Sequence, residues 1–545
     1  MQGLMQDWPL IASKIIDHAA ANHGAREIVT RSVEGPIHRT TYAEVRERSL
    51  MVAKRLERHG IRLGDRVATL AWNTWRHLEL WYGIQGLGAV CHTVNPRLFP
   101  EQIAWIMNHA ESRLLFTDLT FLPLIEKLKP LMPHVEQVIV LTDEAHLPAT
   151  GFEAVAYESW IAEADADFRW PTFDENTAAG LCYTSGTTGD PKGVLYSHRS
   201  NALHALLACL PDSFSLSCRD TALPVVPMFH ANCWGLAHAG PMVGARLVLP
   251  GAKMDGASIF ELLRDEKVTR TAAVPTVWLM LLQHLDKTGE RLEGLERVVI
   301  GGSAAPRAMI QAFRDRHGIE VVHAWGMTET SPLGTLSTLK PENAGLSGDA
   351  WLDVREKQGF TPFGVEIEIT DDEGRPRPHD GETFGRLKVR GPAVARGYYK
   401  VGDVIDADGW FDTGDVATID PLSYMHITDR SKDVIKSGGE WISSIDLENI
   451  AVGHPDVAEA AVIGIRHPKW DERPLLVVVA KEGRTPTRDS LLAFFESKVA
   501  RWWLPDDVVV VDEIPHTATG KIKKVTLRER FRDYQLPTGS PRDAG

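Results

Sequence analysis

Between residues 67 and 141 the chain alternates short apolar runs with stretches whose apolar residues recur at helical spacing. The pattern reads as strand 67–72, helix 75–87, strand 89–94, helix 100–109, strand 114–117, helix 121–131 and strand 137–141. Strands alternating with helices predict an α/β fold, a parallel doubly wound sheet. Upstream, residues 10–21 have helical spacing, and 26–46 read as a short hairpin followed by a helix. After a polar connection through about Asp174 the rhythm resumes, with helix 201–210, strands 221–227 and 246–250, and helices 257–265 and 276–285. Strand 297–300 opens into Gly301-Gly302-Ser303, and strand 321–324 into Trp325-Gly326-Met327-Thr328-Glu329. In open α/β sheets ligands collect beyond the carboxyl ends of the strands.

A third strand end is richer still: Thr184-Ser185-Gly186-Thr187-Thr188-Gly189-Asp190-Pro191-Lys192-Gly193, after the apolar lead-in 178–183. Glycines let the backbone take φ > 0 and turn successive N–H groups toward an anion. The hydroxyls of Thr184, Ser185, Thr187 and Thr188 can donate to phosphate oxygens, and Lys192 adds a positive charge. The stretch reads as a phosphate cradle. It is not a Walker A loop, because Gly193 stands where that loop has Ser or Thr for magnesium. The three strand ends are expected to form one site.

Composition narrows the class. A chain of 545 residues exceeds what one core sustains, so two or more domains are expected. A formal charge of −14 argues against nucleic acid as a partner. No apolar run is long enough to span a bilayer, and residues 1–10 lack a secretory signal pattern. The five cysteines, odd in number and without a C-x-x-C, read as buried thiols in a reducing compartment. The expected location is the cytoplasm.

From 362 to 426 short alternating strands and turns (366–370, 385–390, 425–428) indicate a β-rich subdomain. The charged run 429–433 then reads as a linker to a small α+β domain with helix 445–452, strands 460–465 and 475–480, helix 487–500 capped by Thr487, and strand 508–511. The expected division is 1–429, holding the nucleotide and acyl sites with 362–429 as the β-rich part, and 430–545.

The cradle, Gly301-Gly302-Ser303, Trp325-Gly326-Met327-Thr328-Glu329, Gly409-Trp410-Phe411-Asp412-Thr413-Gly414-Asp415, Asp429-Arg430, Lys436-Ser437-Gly438-Gly439-Glu440-Trp441 and Thr519-Gly520-Lys521-Ile522 occur in this order. Together they resemble the acyl- and aryl-CoA synthetases of the adenylate-forming superfamily over nearly the whole chain. Pro227-Met228-Phe229-His230-Ala231-Asn232-Cys233-Trp234 and Trp470-Asp471-Glu472-Arg473-Pro474-Leu475 look like medium- to long-chain fatty acyl-CoA ligases. The related 3-methylmercaptopropionate-CoA ligases share much of the pattern.

The resemblance implies a large doubly wound domain with a mobile C-terminal cap. It implies ATP and coenzyme A as co-substrates of a carboxylic acid, with Mg2+, and it allows a homodimer. Thr184 and Glu329 would hold the metal. Thr328 would bind the α-phosphate, and His323, Ala324, Trp325, Gly326 and Met327 would line the nucleotide, with Gly302, Ser303 and Ala304 opposite. Trp325 stands where the family usually has tyrosine. Asp415 would accept the ribose hydroxyls, with Arg430 and the hinge residue Lys432 nearby. His230 would face the substrate carboxylate, and Trp234 and Gly302 the acyl chain. His230 and Trp234 share a face if their segment is helical. Lys521 would serve adenylation; Lys436, Ser437, Gly438, Gly439 and Trp441 would serve thioester formation.

Three functions compete: acid–thiol ligation through an acyl-adenylate, a P-loop phosphotransferase or ATPase, and a silent carboxylate-binding or carrier-charging module. Gly193 after Lys192 and the separate Lys521 motif speak against the second. No carrier domain follows Lys521, so an enzyme using free CoA is expected.

Overall fold

The structure is a computed structural model that describes residues 1, 3–184, 190–437, 440–496, 498–516 and 522–537, with backbone alone at 440 and 441. The alternating region builds two sheets. One has eight strands in the order Leu333–Leu336, Glu320–Gly326, Arg297–Ile300, Arg270–Ala273, Thr221–Pro224, Arg246–Leu249, Glu27–Arg31, Ile37–Thr41. The other has seven: Ala154–Ala156, Gln137–Val140, Leu114–Thr117, Arg66–Leu70, Val90–Thr93, Ala178–Tyr183, Gly193–Ser197. Both are parallel inside. Antiparallel strands close both edges of the first and one edge of the second.

Successive strand residues point to opposite faces, and the cores follow that alternation. Ile28, Ala222 and Leu247 of the first sheet share a cluster with Val67, Leu114 and Phe116 of the second, while Val29, Leu223 and Val248 face a separate cluster. Ala68 and Leu115 face a third. The helices between the sheets are therefore enclosed. All of helix Trp75–Leu87 is buried, its charged residues included: Arg76 pairs with Glu34 and Glu158, and Glu79 with Arg48. Helix Tyr42–Arg58 starts at a capping box in which Thr41 and Glu44 satisfy each other's exposed backbone N–H groups.

Several sequence readings need correction. Strand Arg270–Ala273 was hidden by its two alanines and is buried by neighbours on both sides. Strand Ala154–Ala156 and helix Tyr157–Ala162 occupy the expected polar connection. Helix Leu122–Leu128 gives way to a 3-10 turn containing Pro130, and helix Arg488–Phe495 is shorter than expected, although Thr487 caps it. The cysteines form no disulfide, but only Cys91, Cys182 and Cys233 are buried; Cys209 is half-buried and Cys218 exposed.

The β-rich part is a four-stranded sheet, Glu366–Thr370, Gly385–Arg390, Phe411–Ile419, Met425–Arg430. Asp429 and Arg430 are its last rungs, paired with Val416 and Asp415, so the connection to the C-terminal unit is the turn 431–433. That unit is a five-stranded sheet: Glu440–Ile442, Ile435–Ser437, Asp471–Ala480 and Val457–His467, with Asp507–Val510 beside Asp471–Ala480.

Candidate active site

The largest departure from expectation lies at the cradle. Strand Ala178–Tyr183 does not lead into a helix. The chain returns as strand Gly193–Ser197, antiparallel and in register at Tyr183↔Gly193, and the Thr184 N–H donates to the Lys192 carbonyl at 2.9 Å. Helix His198–Cys209 starts only after that strand. Thr184 and Lys192 thus close the base of a hairpin. Ser185, Gly186, Thr187, Thr188 and Gly189 lie outside the described residues, as do Gly438, Gly439, Lys521 and the Trp441 side chain.

Opposite this hairpin, strand Glu320–Gly326 runs past Ala324 through Trp325 and Gly326, with a bulge between them. A side chain at 326 would place its Cβ 1.6 Å from the Pro332 carbonyl oxygen, so only glycine lets the two strands close there. The strand then delivers Thr328 and Glu329 in a 3-10 turn. The two sheets are tied at this level by the Tyr196 hydroxyl, which donates to the Thr328 carbonyl at 2.7 Å.

A cavity of about 490 Å3 lies between them. Thr184 and Lys192 line it from one sheet, and Gly301, Gly302 and 324–329 from the other. Thr413, Gly414 and Arg430 of the β-rich sheet, Lys432 of the connecting turn and Ile522 of the C-terminal unit complete the wall. The expectation that three strand ends form one site holds, with the amendment that they come from two sheets.

Glu329 is 5% exposed, and burial pushes its carboxyl above the ordinary range. Its Oε1 accepts the Tyr398 hydroxyl at 2.7 Å, while the Lys192 ammonium stands 4.9 Å from the centre of the same ring. Tyr398 belongs to a strap fixed at both ends: the Ala395 N–H donates to the Glu329 carbonyl at 2.7 Å and the Tyr399 N–H to Gly193 at 2.8 Å. Sequence reasoning missed Tyr398. Its only local signal is the aromatic pair after Gly397.

Trp325 is buried, and its indole N–H donates to Asp415 Oδ2 at 2.9 Å. Arg430 Nε pairs with the other oxygen, Oδ1, at 2.9 Å. Asp415 therefore sits one layer behind the wall, oriented from two sides, and the indole supplies a polar contact of its own beyond a stacking face. His323 also stands behind the wall. Its Nδ1 bonds the Glu356 carbonyl at 2.7 Å, its Nε2 accepts the Ala305 N–H at 3.2 Å, and burial pushes its pKa down to about 4. It supports the Gly301–Ala305 loop and does not line the cavity. Ser303 and Ala304 are also absent from the lining, and Ser303 is exposed.

His230 and Trp234 both line the cavity, but not through an α-helix. Ala231, Asn232, Cys233 and Trp234 have φ of 42, 55, 57 and 49°, a left-handed turn ending at Gly235. Such backbone costs about 1–2 kcal/mol per residue and persists where the surroundings hold it. Here Asn232 donates to Asn201 at 3.2 Å and Cys233 Sγ to the Val226 carbonyl at 3.4 Å. The turn seats the Trp234 indole 3.2 Å from where a Cβ on Gly301 would be. Phe214, Val299 and Leu333 complete this apolar end.

The C-terminal motifs divide. Lys432 borders the cavity, and burial lowers its pKa. Lys436 is exposed and outside the cavity lining, and Ser437 is turned inward. Residues 471–475 belong to strand Asp471–Ala480 of the C-terminal sheet, and none of residues 470–475 lines the cavity. Among the described residues no three or more His, Cys, Asp or Glu form a metal-binding group, and no helix is long and apolar enough to cross a membrane.

Two α/β sheets meeting at a Gly/Thr-rich cavity, with a small α+β unit against its rim, define the architecture of an adenylate-forming enzyme. The comparisons agree. The AMP-binding enzyme family model matches residues 16–399, and the AMP-binding enzyme C-terminal domain matches 446–521. The chain is 51% identical over 535 residues to the 3-methylmercaptopropionyl-CoA ligase of Ruegeria pomeroyi, covering 98% of this chain and 99% of that one. It is 47% identical to the medium-chain-fatty-acid–CoA ligase of Ectopseudomonas oleovorans, covering 99% of each, and 46% identical to the long-chain-fatty-acid–CoA ligase of Thermus thermophilus, covering 97% of each. The crystal structure of an anthranilate CoA ligase with anthranoyl-AMP superposes with a TM-score of 0.84 at 26% identity, over 97% of this chain and 99% of that one. The chain belongs to the AMP-binding enzyme family and is an AMP-forming acyl-CoA synthetase.

Proposed function

We propose that this enzyme joins a medium- to long-chain aliphatic carboxylic acid to coenzyme A. The supporting observation is the apolar end of the cavity, where Phe214, Trp234, Val299 and Leu333 cluster in the same cavity that Thr184, Lys192 and Glu329 line. A carboxylate does not accept a thiol directly, because oxide is too poor a leaving group. Attack of the carboxylate oxygen on the α-phosphate expels pyrophosphate and forms an acyl-adenylate. A thiolate then takes the acyl group as the bond to AMP breaks. The first step brings an anion to a polyanion, so charge neutralisation and positioning dominate it.

In this reading Lys192 and the cradle hold the outer phosphates and Thr328 the α-phosphate. Asp415, behind the wall, holds Trp325 and Arg430 toward the nucleotide. His230 faces the carboxylate. Thr184 and Glu329 offer a hydroxyl and a carboxylate on the same cavity, an all-oxygen set suited to a hard cation. They would hold Mg2+, which neutralises phosphate charge when bound. Lys521 bridges the carboxylate and α-phosphate, and Lys436 serves the thioester step from the other face of the C-terminal unit. We place the domain boundary at the turn 431–433, where a swivel would exchange the two faces.

Incubation with ATP, CoA and a panel of acids tests the substrate. Each buried methylene contributes about 0.8 kcal/mol, so kcat/KM should climb about fourfold per methylene and then stop. AMP, not ADP, should appear. Benzoates outperforming every aliphatic acid would overturn the proposal. The similarity to the Ruegeria relative motivates a second reading, 3-methylmercaptopropionate, which best activity on that acid would select. For the lysines, Lys521→Ala should lower acid-dependent ATP–pyrophosphate exchange at least ~100-fold while still converting supplied acyl-adenylate to thioester. Lys436→Ala should show the opposite bias.

A further inference from the structure

The run Trp470–Leu475 has no place in the acyl site, yet it contains a buried, fully bonded charge. Arg473 is 1% exposed and its partner Asp506 2% at the side chain. All five guanidinium N–H donors are used. Nε and Nη2 donate to Asp506 Oδ1 at 2.9 and 2.6 Å, Nη2 also to the Leu504 carbonyl at 3.0 Å, and Nη1 to the Trp502 carbonyl at 2.8 Å and Ser437 Oγ at 3.1 Å. A buried ion pair is weak evidence for stability, since an apolar pair of the same volume often does as well. Its geometry says what it holds.

What it holds is the end of strand Ile435–Ser437. Three consecutive residues grip that end: Asp471 pairs with Ser437, Glu472 Oε2 accepts the Lys436 N–H at 3.1 Å, and Arg473 donates to the Ser437 hydroxyl. Asp471 has φ of 64°, a left-handed conformation kept only where surroundings fix it. Neighbouring strand residues point to opposite sides. With Ser437 fastened inward, Lys436 is turned outward, and it is exposed.

We propose that Arg473, backed by Asp506, is a positioning residue for thioester formation. It fixes strand Ile435–Ser437 so that Lys436 is presented to incoming CoA. This rests on the reading of Lys436 given above.

The test measures the two half-reactions separately in the full-length enzyme: ATP–pyrophosphate exchange, and conversion of supplied acyl-adenylate and CoA to thioester. Arg473→Lys keeps the charge but loses the five-donor fork. It should slow the thioester step about tenfold or more, the scale of a misplaced reacting group, and raise the KM for CoA. Exchange should stay within about twofold. Ser437→Ala cuts only the tie to the strand and leaves the Arg473–Asp506 pair, so it should show the same bias even if Arg473→Lys fails to fold. Ser437→Thr, which keeps the hydroxyl, should recover the thioester rate. Equal loss in both half-reactions, or no loss in Ser437→Ala, overturns the proposal. Lys436→Ala separates the two ideas. If it leaves the thioester step untouched, the reading of Lys436 fails; if it biases that step while Ser437→Ala does not, only the positioning role fails.

Discussion

Glu329 and Lys436 are charged groups assigned to the two halves of one reaction, and the fold treats them in opposite ways. Glu329 is itself withdrawn from water, with one carboxylate oxygen held by Tyr398. Lys436 is exposed, and burial is reserved for its supports, Arg473 and Asp506. The difference follows from the chemistry. Neutralising a carboxylate beside a triphosphate gains most where the dielectric is low. CoA is large, flexible and arrives from solvent, so a group proposed to meet it, Lys436, stays outside while rigidity comes from beneath.

If supports are buried to hold position, removing one charge from a buried support should be costly, and the largest effect is expected at Lys524. Its ammonium is 2.7 Å from Glu448 Oε1. Burial lowers the lysine pKa, but Glu448 and Asp429 outweigh it and the net shift is upward. Two carboxylates share this one ammonium, and burial pushes Glu448 up to about 7 and Asp429 above its ordinary value. Lys524→Met should cost about 3–5 kcal/mol. Without the ammonium both carboxyls titrate still higher when folded, while the unfolded chain titrates them near 4. The folded state then binds more protons between those values, so its stability falls as pH rises. The deficit should therefore be larger at pH 8 than at pH 5 in urea unfolding. An equal deficit at both would show that the carboxylates are not its source.

Tyr398→Phe sharpens the other side of the comparison. It removes a donor to a buried carboxylate and keeps the ring beside Lys192. A hydrogen bond to a charged group contributes about 1.5–3 kcal/mol, so pyrophosphate exchange should fall about tenfold or more while thioester formation from supplied acyl-adenylate persists. Loss in both would mean that Tyr398 serves the fold rather than Glu329. The smallest effect is expected for Trp325→Phe, which deletes the N–H to Asp415. One such bond to a carboxylate already paired with Arg430 takes the lower end of that range, about 1.5 kcal/mol, which corresponds to roughly a tenfold rise in the KM for ATP with little change in kcat. A change in kcat alone would place Trp325 with the reacting atoms.

Contacts local in sequence were readable, and those made across it were not. Helix Trp75–Leu87 and strands Leu114–Thr117 and Arg297–Ile300 have the expected bounds because their apolar spacing is continuous. The meeting of Thr184, Gly302 and Glu329 followed from the rule that ligands collect at strand ends. That these ends belong to two sheets depends on pairing, which spacing does not encode. The His230–Trp234 turn was unreadable for another reason: four consecutive left-handed residues without glycine contradict local preference, and tertiary contacts impose them. Tyr398 lies 69 residues from Glu329, and Arg473 36 from Ser437. Neither partner carries a mark of the other.

The antiparallel return at Gly193 also sets how the enzyme responds to salt. In a P-loop the phosphates sit at the start of a helix, whose dipole is a fixed part of the scaffold. Here the helix begins six residues after Lys192, at His198 beyond strand Gly193–Ser197, and Lys192 itself is exposed. On the proposed reading, in which Lys192 holds the outer phosphates, much of the grip at the base of this hairpin comes from an exposed cation. Mobile ions screen such a charge over about 10 Å at 0.1 M and about 3 Å at 1 M. The KM for ATP should therefore rise with ionic strength, and Lys192→Ala should flatten that dependence.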